Sequence, residues 1–230
     1  MAKLVQKSGY IKSGKASGYM RYIATREGVE KLAGNSAVTK GQRELIQKLL
    51  HDFPDAAELF EYEDYCKTPT LGTASAFITM ALDANLHGID SESGYMQYIA
   101  TRPRVQKYGS HGLFSSATAV DIASAMSELE AHEGNVWTII YSLRREDAAR
   151  LEYDNADAWR TLLMENAPTL AKSMKISLDN FHWYAAFHDE GHHPHIHMMV
   201  WSDDPKEGFL TKDGIAAMRS KLTNAIFRDE

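Results

Sequence analysis

Cysteine is nearly absent from this chain, with Cys66 the only one among 230 residues. One thiol excludes an intramolecular disulfide framework and a cysteine-rich zinc finger, and it suits a reducing compartment such as the cytosol. No apolar run reaches the ~18 residues that a membrane-spanning helix needs, so no membrane insertion is expected. The opening residues, Met1 to Ser8, turn polar at once and do not form a secretory signal. The Gly-x4-Gly-Lys-Ser/Thr phosphate loop is missing, so no ATP chemistry is expected. A net charge of −6 argues mildly against a nucleic-acid partner.

What is present qualifies that last exclusion. Apolar residues make up 44% and aromatics 10%, which fits a folded globular protein. Residues 1–50 hold ten Lys/Arg against three Glu, a surplus of seven, so the other 180 residues carry −13 of the total. Residues 51–100 have Lys67 as their only Lys or Arg. An anionic partner meets local patches, not averages, and the basic arm offers one. The same residues would also serve as an ordinary solvated face.

A ten-residue segment, Ser17-Gly-Tyr-Met-Arg-Tyr-Ile-Ala-Thr-Arg26, returns 76 positions later as Ser93-Gly-Tyr-Met-Gln-Tyr-Ile-Ala-Thr-Arg102, nine residues being identical. Each copy sets two tyrosines three apart, with an arginine four further on. On a helix these share a face, so a phenol would stand beside a guanidinium. An aromatic stripe packed into a core would give the same spacing. Two copies are too few for a solenoid.

Apolar periodicity predicts a strand over 3–12 and helices over 39–50, 74–86, 119–132, 157–174 and 211–227. Thr39 and Gln42 form a capping-box pattern, and Thr211 is an N-cap candidate. The run Val136–Leu143 predicts a strand, and Phe181–His188 and His195–Trp201 a hairpin. No element is assigned to the acid-rich stretch 53–67. The sum is a single α+β domain over 1–230, with a central antiparallel sheet covered by helices on one side.

Six of the ten histidines lie between 182 and 197. His195 and His197 alternate with Ile196 and Met198, so on a strand both imidazoles project from one face. His188 closes the preceding strand, and a hairpin brings it opposite the pair. Three imidazoles with open coordination positions suit catalysis by a divalent metal more than a closed structural site. His192 and His193 are expected in the loop, either in solvent or behind the ligands. Asp189 and Glu190 are candidates to orient a ligand's second nitrogen or to act as a base. A second pattern competes: His193-Pro-His-Ile-His197-Met-Met also reads as the motif of histidine-triad nucleotide hydrolases. A non-catalytic metal-containing DNA-binding protein is a further reading.

His188-x6-His195-x-His197 resembles the three-histidine motif of relaxases of the HUH superfamily. Together with the two Tyr-Ile-Ala-Thr-Arg blocks, Gly109–Ser115, Ala131–Leu151 and Asp204–Ile215, it is similar to the MobL family of MobP-type mobilisation relaxases. The resemblance implies a bacterial cytoplasmic nickase that cuts one strand at the transfer origin of a mobile element and later rejoins it. It implies a tyrosine nucleophile forming a 5′-phosphotyrosine adduct. Tyr22 matches the family's position and Tyr98 is the second candidate. The metal would sit on His188, His195 and His197, as Mn2+ or Mg2+, with Zn2+, Ni2+ or Co2+ as alternatives. Asp189, Glu190 and Glu133 are candidates for the base. Lys12, Lys15, Arg21 and Arg26 would hold the backbone of single-stranded DNA, and Ser142 matches a family serine that contacts it. Trp137, Trp183 or spare tyrosines offer faces for base stacking. Accessory relaxosome proteins and a coupling protein are implied partners. Family members are usually longer, so the chain is expected to be an N-terminal catalytic fragment.

Overall fold

The computed structural model describes residues 3–10, 37–84, 96, 99–101, 105–107, 111–117, 119–189 and 193–228. The chain divides into two compact units, Lys12–Asp90 on the one hand and Met1–Ile11 with Ser91–Glu230 on the other.

In the Lys12–Asp90 unit the described elements are helical. Helix α1, Lys40–Asp52, starts where expected: Thr39 Oγ1 accepts from Gln42 N–H at 3.1 Å, and Gln42 Oε1 accepts from Thr39 N–H at 3.0 Å. A 3-10 turn at Pro54–Glu58 and helix α2, Phe60–Lys67, occupy the stretch that the sequence left without an element. Pro54 pre-sets the turn, and Glu61 and Glu63 complement the positive end of α2. Helix α3, Leu71–Ala84, packs on both. Leu49, Phe60, Phe77 and Ile78 are fully buried between them.

The other unit is built on a sheet. Strands β1 (Val5–Tyr10), β2 (Leu113–Phe114), β3 (Trp137–Ser142), β4 (Phe181–His188) and β5 (His195–Ser202) run antiparallel in the order β1-β3-β5-β4-β2. Helices α4 (Ile122–Glu130), α5 (Arg145–Arg150), α6 (Ala156–Ser173) and α7 (Lys212–Ile226) accompany it. The α+β expectation therefore holds. Helix α4 is shorter than its periodicity suggested, because Asp121 caps it by accepting from Ser124 N–H at 2.9 Å. Thr211 caps α7 as expected, accepting from Gly214 N–H at 3.1 Å.

Strand alternation sorts the sheet into two faces. Tyr141, Phe187, Ile196, Met198 and Val200 point to one side and meet Trp159, Leu163, Leu170, Met218 and Leu222 from α6 and α7 in a single core. Each such large apolar side chain contributes roughly 1.5–3 kcal/mol by leaving water. Trp183 lies in this core, edge-on to Phe114, and Trp137 packs against it while its Nε1 donates to the Gly208 carbonyl at 2.7 Å. The structure thus corrects the expectation that these two tryptophans stack on DNA bases: both are committed to the helix-covered face. The opposite face carries the histidines.

Candidate metal centre

The hairpin β4–β5 pairs residue for residue from Phe181↔Ser202 to His188↔His195. This places His188 directly across from His195, and His197 two residues along on the same face. All three side chains are fully buried. Their ring centroids stand 5.2 Å (188–195), 4.6 Å (188–197) and 5.1 Å (195–197) apart. One ring nitrogen from each lies within 4.8 Å of those of the other two.

Backbone carbonyls fix the rings. His188 Nε2 sits 2.9 Å from the Ile99 carbonyl, and His195 Nδ1 3.0 Å from the His193 carbonyl. A carbonyl can only accept, so these nitrogens carry the protons, leaving the lone pairs on His188 Nδ1 and His195 Nε2. Orientation by carbonyls is a usual arrangement behind metal ligands. For His188 and His195 it replaces the carboxylates considered from sequence. Asp189 instead pairs with Arg145 at 2.6 Å. His193 is buried, not solvent-exposed, and contributes its carbonyl. Three imidazoles buried together, two of them oriented by backbone carbonyls, are a donor set suited to a first-row divalent ion.

The third member of the cluster decides between two readings of the motif. The converging group is His188, His195 and His197. His193 precedes β5 and is outside that group, which counts against a histidine-triad hydrolase. The family model for MobL relaxases matches residues 1–230. The chain belongs to the MobL relaxases. No curated protein and no solved structure gives a match. A MobL relaxase is a DNA-binding enzyme, and the described residues contain no helix long and apolar enough to cross a membrane.

Other candidates fall around this MobL site in different ways. Ser142 on β3 is the Cα partner of His195, buried on the histidine face, and its Oγ meets no hydrogen-bonding group among the described residues. Tyr22, Tyr98, Lys12, Lys15, Arg21, Arg26, Glu190 and His192 lie outside the described residues. The second repeat nonetheless reaches the site, because Ile99, the residue after Tyr98, supplies the carbonyl at His188. Two tyrosines of the sheet are poor nucleophiles. Tyr141 faces the core, where burial raises its pKa. Tyr184 donates to Glu128 at 3.1 Å, and burial, followed by the charge and hydrogen bond of Glu128, pushes its pKa up to about 12.

Sequence reasoning missed two features of this face. Lys7 on β1 is aligned with Ile140 and through it with His197, and only 4% of it is exposed. Nothing in the mixed sequence Val-Gln-Lys-Ser-Gly-Tyr of β1 marks this lysine as buried; only the strand pairing does. Trp201 shares the parity of His195 and His197, which was legible from spacing alone.

Proposed function

We propose that this MobL relaxase is a metal-dependent, site- and strand-specific DNA nickase acting at the transfer origin of a bacterial mobile element, in the cytoplasm. The observation that carries the reading is the convergence of His188, His195 and His197, buried on the sheet face opposite the core. They would hold a divalent ion, and three imidazoles favour Mn2+, Zn2+, Ni2+ or Co2+ over Mg2+, which prefers oxygen. Such an ion, when bound, polarises a non-bridging phosphate oxygen and offsets developing charge.

The chain's own residues supply the rest. A tyrosine phenol, Tyr22 or in second place Tyr98, attacks the scissile phosphorus. The P–O3′ bond breaks, the tyrosine keeps the 5′ phosphate, and the 3′ oxygen leaves as an alkoxide that takes a proton from water to become the 3′-OH. The phenol proton passes to a carboxylate, with Asp189 and Glu190 the candidates. A phenolate is a better leaving group than an alkoxide, since phenol's pKa is about 10. The adduct therefore retains the capacity to reseal when the 3′-OH attacks in reverse. Ser142 and the basic residues Lys12, Lys15, Arg21 and Arg26 would position the strand.

The test incubates the protein with a single-stranded oligonucleotide from its own transfer origin and Mn2+, and resolves the products on a denaturing gel. A covalent protein–DNA band is expected, lost in Tyr22→Phe if Tyr22 is the nucleophile and in Tyr98→Phe if Tyr98 is. A wild-type protein that gives no band on a verified origin overturns the mechanism. Binding of both metal and oligonucleotide without any adduct would identify a non-catalytic metal-containing DNA-binding protein.

A further inference from the structure

The histidine face continues past the metal centre. Along β5 the residues on this face are His195, His197, Met199 and Trp201, and along β4 they are His188, Ala186, Tyr184 and His182. At the far end Trp201, only 3% exposed, anchors a ring stack. His182 lies 5.8 Å from it at 19°, and Tyr184 5.6 Å from it at 27°. Beside the stack a cavity of about 440 Å³ opens, lined by Glu128, His132, Glu133, His182, Trp201 and Asp203. His182 Nε2 is held by Asp203 Oδ2 at 2.7 Å, with the His182 side chain 41% exposed, so the stack presents an accessible aromatic surface.

This lining discriminates among ligands. Three carboxylates repel a phosphate, so the DNA backbone is disfavoured here. A carboxylate accepts hydrogen bonds, and the amino edges of guanine, cytosine and adenine donate them. A flat aromatic surface stacks on any base. Trp201 is four residues beyond His197, about 14 Å along the strand at roughly 3.4 Å per residue. Stacked nucleotides rise about 3.4 Å each, so the cavity lies within about four nucleotides of a phosphate at the metal centre.

We infer that this cavity is a binding site for one unpaired, amino-bearing nucleobase of the nicked strand, held against the His182–Trp201 stack within about four nucleotides of the scissile phosphate. The inference rests on the relaxase reading, and the experiment separates the two. Single abasic substitutions are walked through the transfer-origin oligonucleotide, and binding is measured by fluorescence anisotropy for wild type, His182→Ala and Glu128→Gln. Adduct formation on the intact oligonucleotide is followed in parallel. One abasic position within about four nucleotides of the nick is expected to weaken wild-type binding about tenfold. The same position should cost His182→Ala little, because the contact is already gone. Replacing that base with thymine should weaken wild type more than Glu128→Gln. Equal losses in wild type and His182→Ala at every position overturn the inference while leaving the adduct, and hence the relaxase reading, intact. So does a uniform loss in His182→Ala on every oligonucleotide. Absence of the adduct in wild type defeats the relaxase reading itself.

Discussion

Metal binding at the three histidines should be visible as stability before any DNA is present. An ion that binds only the folded protein stabilises it by RT ln(1 + [L]/Kd), about 2.7 kcal/mol at a hundred times Kd. For a chain of this size each kcal/mol raises Tm by roughly 2–4 °C. The expected increment is therefore about 5–11 °C on adding Mn2+, Co2+, Ni2+ or Zn2+ at that excess. His197→Ala removes one of the three nitrogens gathered within 4.8 Å. If this weakens the site a hundredfold, the same concentration only equals the new Kd. The contribution then falls to about 0.4 kcal/mol, or roughly 1–2 °C. Differential scanning calorimetry is the appropriate assay, since two units can unfold in separate transitions. His51→Ala, at an exposed position of α1, should keep the full increment. An increment in His197→Ala equal to that of wild type, or none in wild type with any of the four ions, would refute the assignment.

Further expectations concern neighbouring parts of the sheet unit. Ser142→Ala should retain the metal-dependent rise in Tm yet form less adduct, because the hydroxyl sits beside His195 without supporting the core; unchanged adduct yield on the denaturing gel would remove Ser142 from the site. Gly214→Ala should destabilise the unit by about 1–3 kcal/mol in urea unfolding, since a Cβ there meets the Ser173 carbonyl where α7 crosses α6. Glu207 accepts from Ser202 Oγ at 2.6 Å as well as from Ser177 and Asn180, and the Ser202 bond above all lowers its pKa. A depressed carboxylate stabilises the fold above its ordinary pKa of about 4.3, and that contribution is lost as pH falls through the lower folded value. The gap in urea midpoint between wild type and Glu207→Gln should accordingly narrow from pH 6 towards pH 3, and a constant gap would contradict the assignment.

The elements most visible in the sequence were those with a strict period or a chemical stop signal. The hairpin was readable because two runs rich in aromatic and apolar residues, Phe181–His188 and His195–Trp201, flank a short loop with Gly191 and Pro194, and α1 and α7 because Thr39 and Thr211 mark their starts. Strand β2 is two residues long and has no period to detect. Helix α2 hid in a run of acids that reads as solvent-loving, although the acids favour its N-terminus. At the site, the convergence of His188, His195 and His197 followed from strand alternation. The stacking tryptophans were misassigned because aromaticity was weighed before parity: Trp183 is five residues from His188 and so faces the other side, whereas Trp201 is four from His197. The carbonyls that set the His188 and His195 tautomers have no sequence signal, since any residue supplies a carbonyl.

The alternation on β5 has a consequence for how such an enzyme can diverge. Ile196, Met198 and Val200 hold the core, and His195, His197 and Trp201 point to the opposite face from the same thread. One extra residue inside the strand would exchange the two sets, driving imidazoles against α6 and α7 and aliphatic chains onto the histidine face. The strand behaves like a reading frame: substitutions can be absorbed one at a time, but a single-residue insertion or deletion forfeits stability and chemistry together. New origin specificities in this lineage should therefore arise from residue replacement within the hairpin and from length variation only outside it.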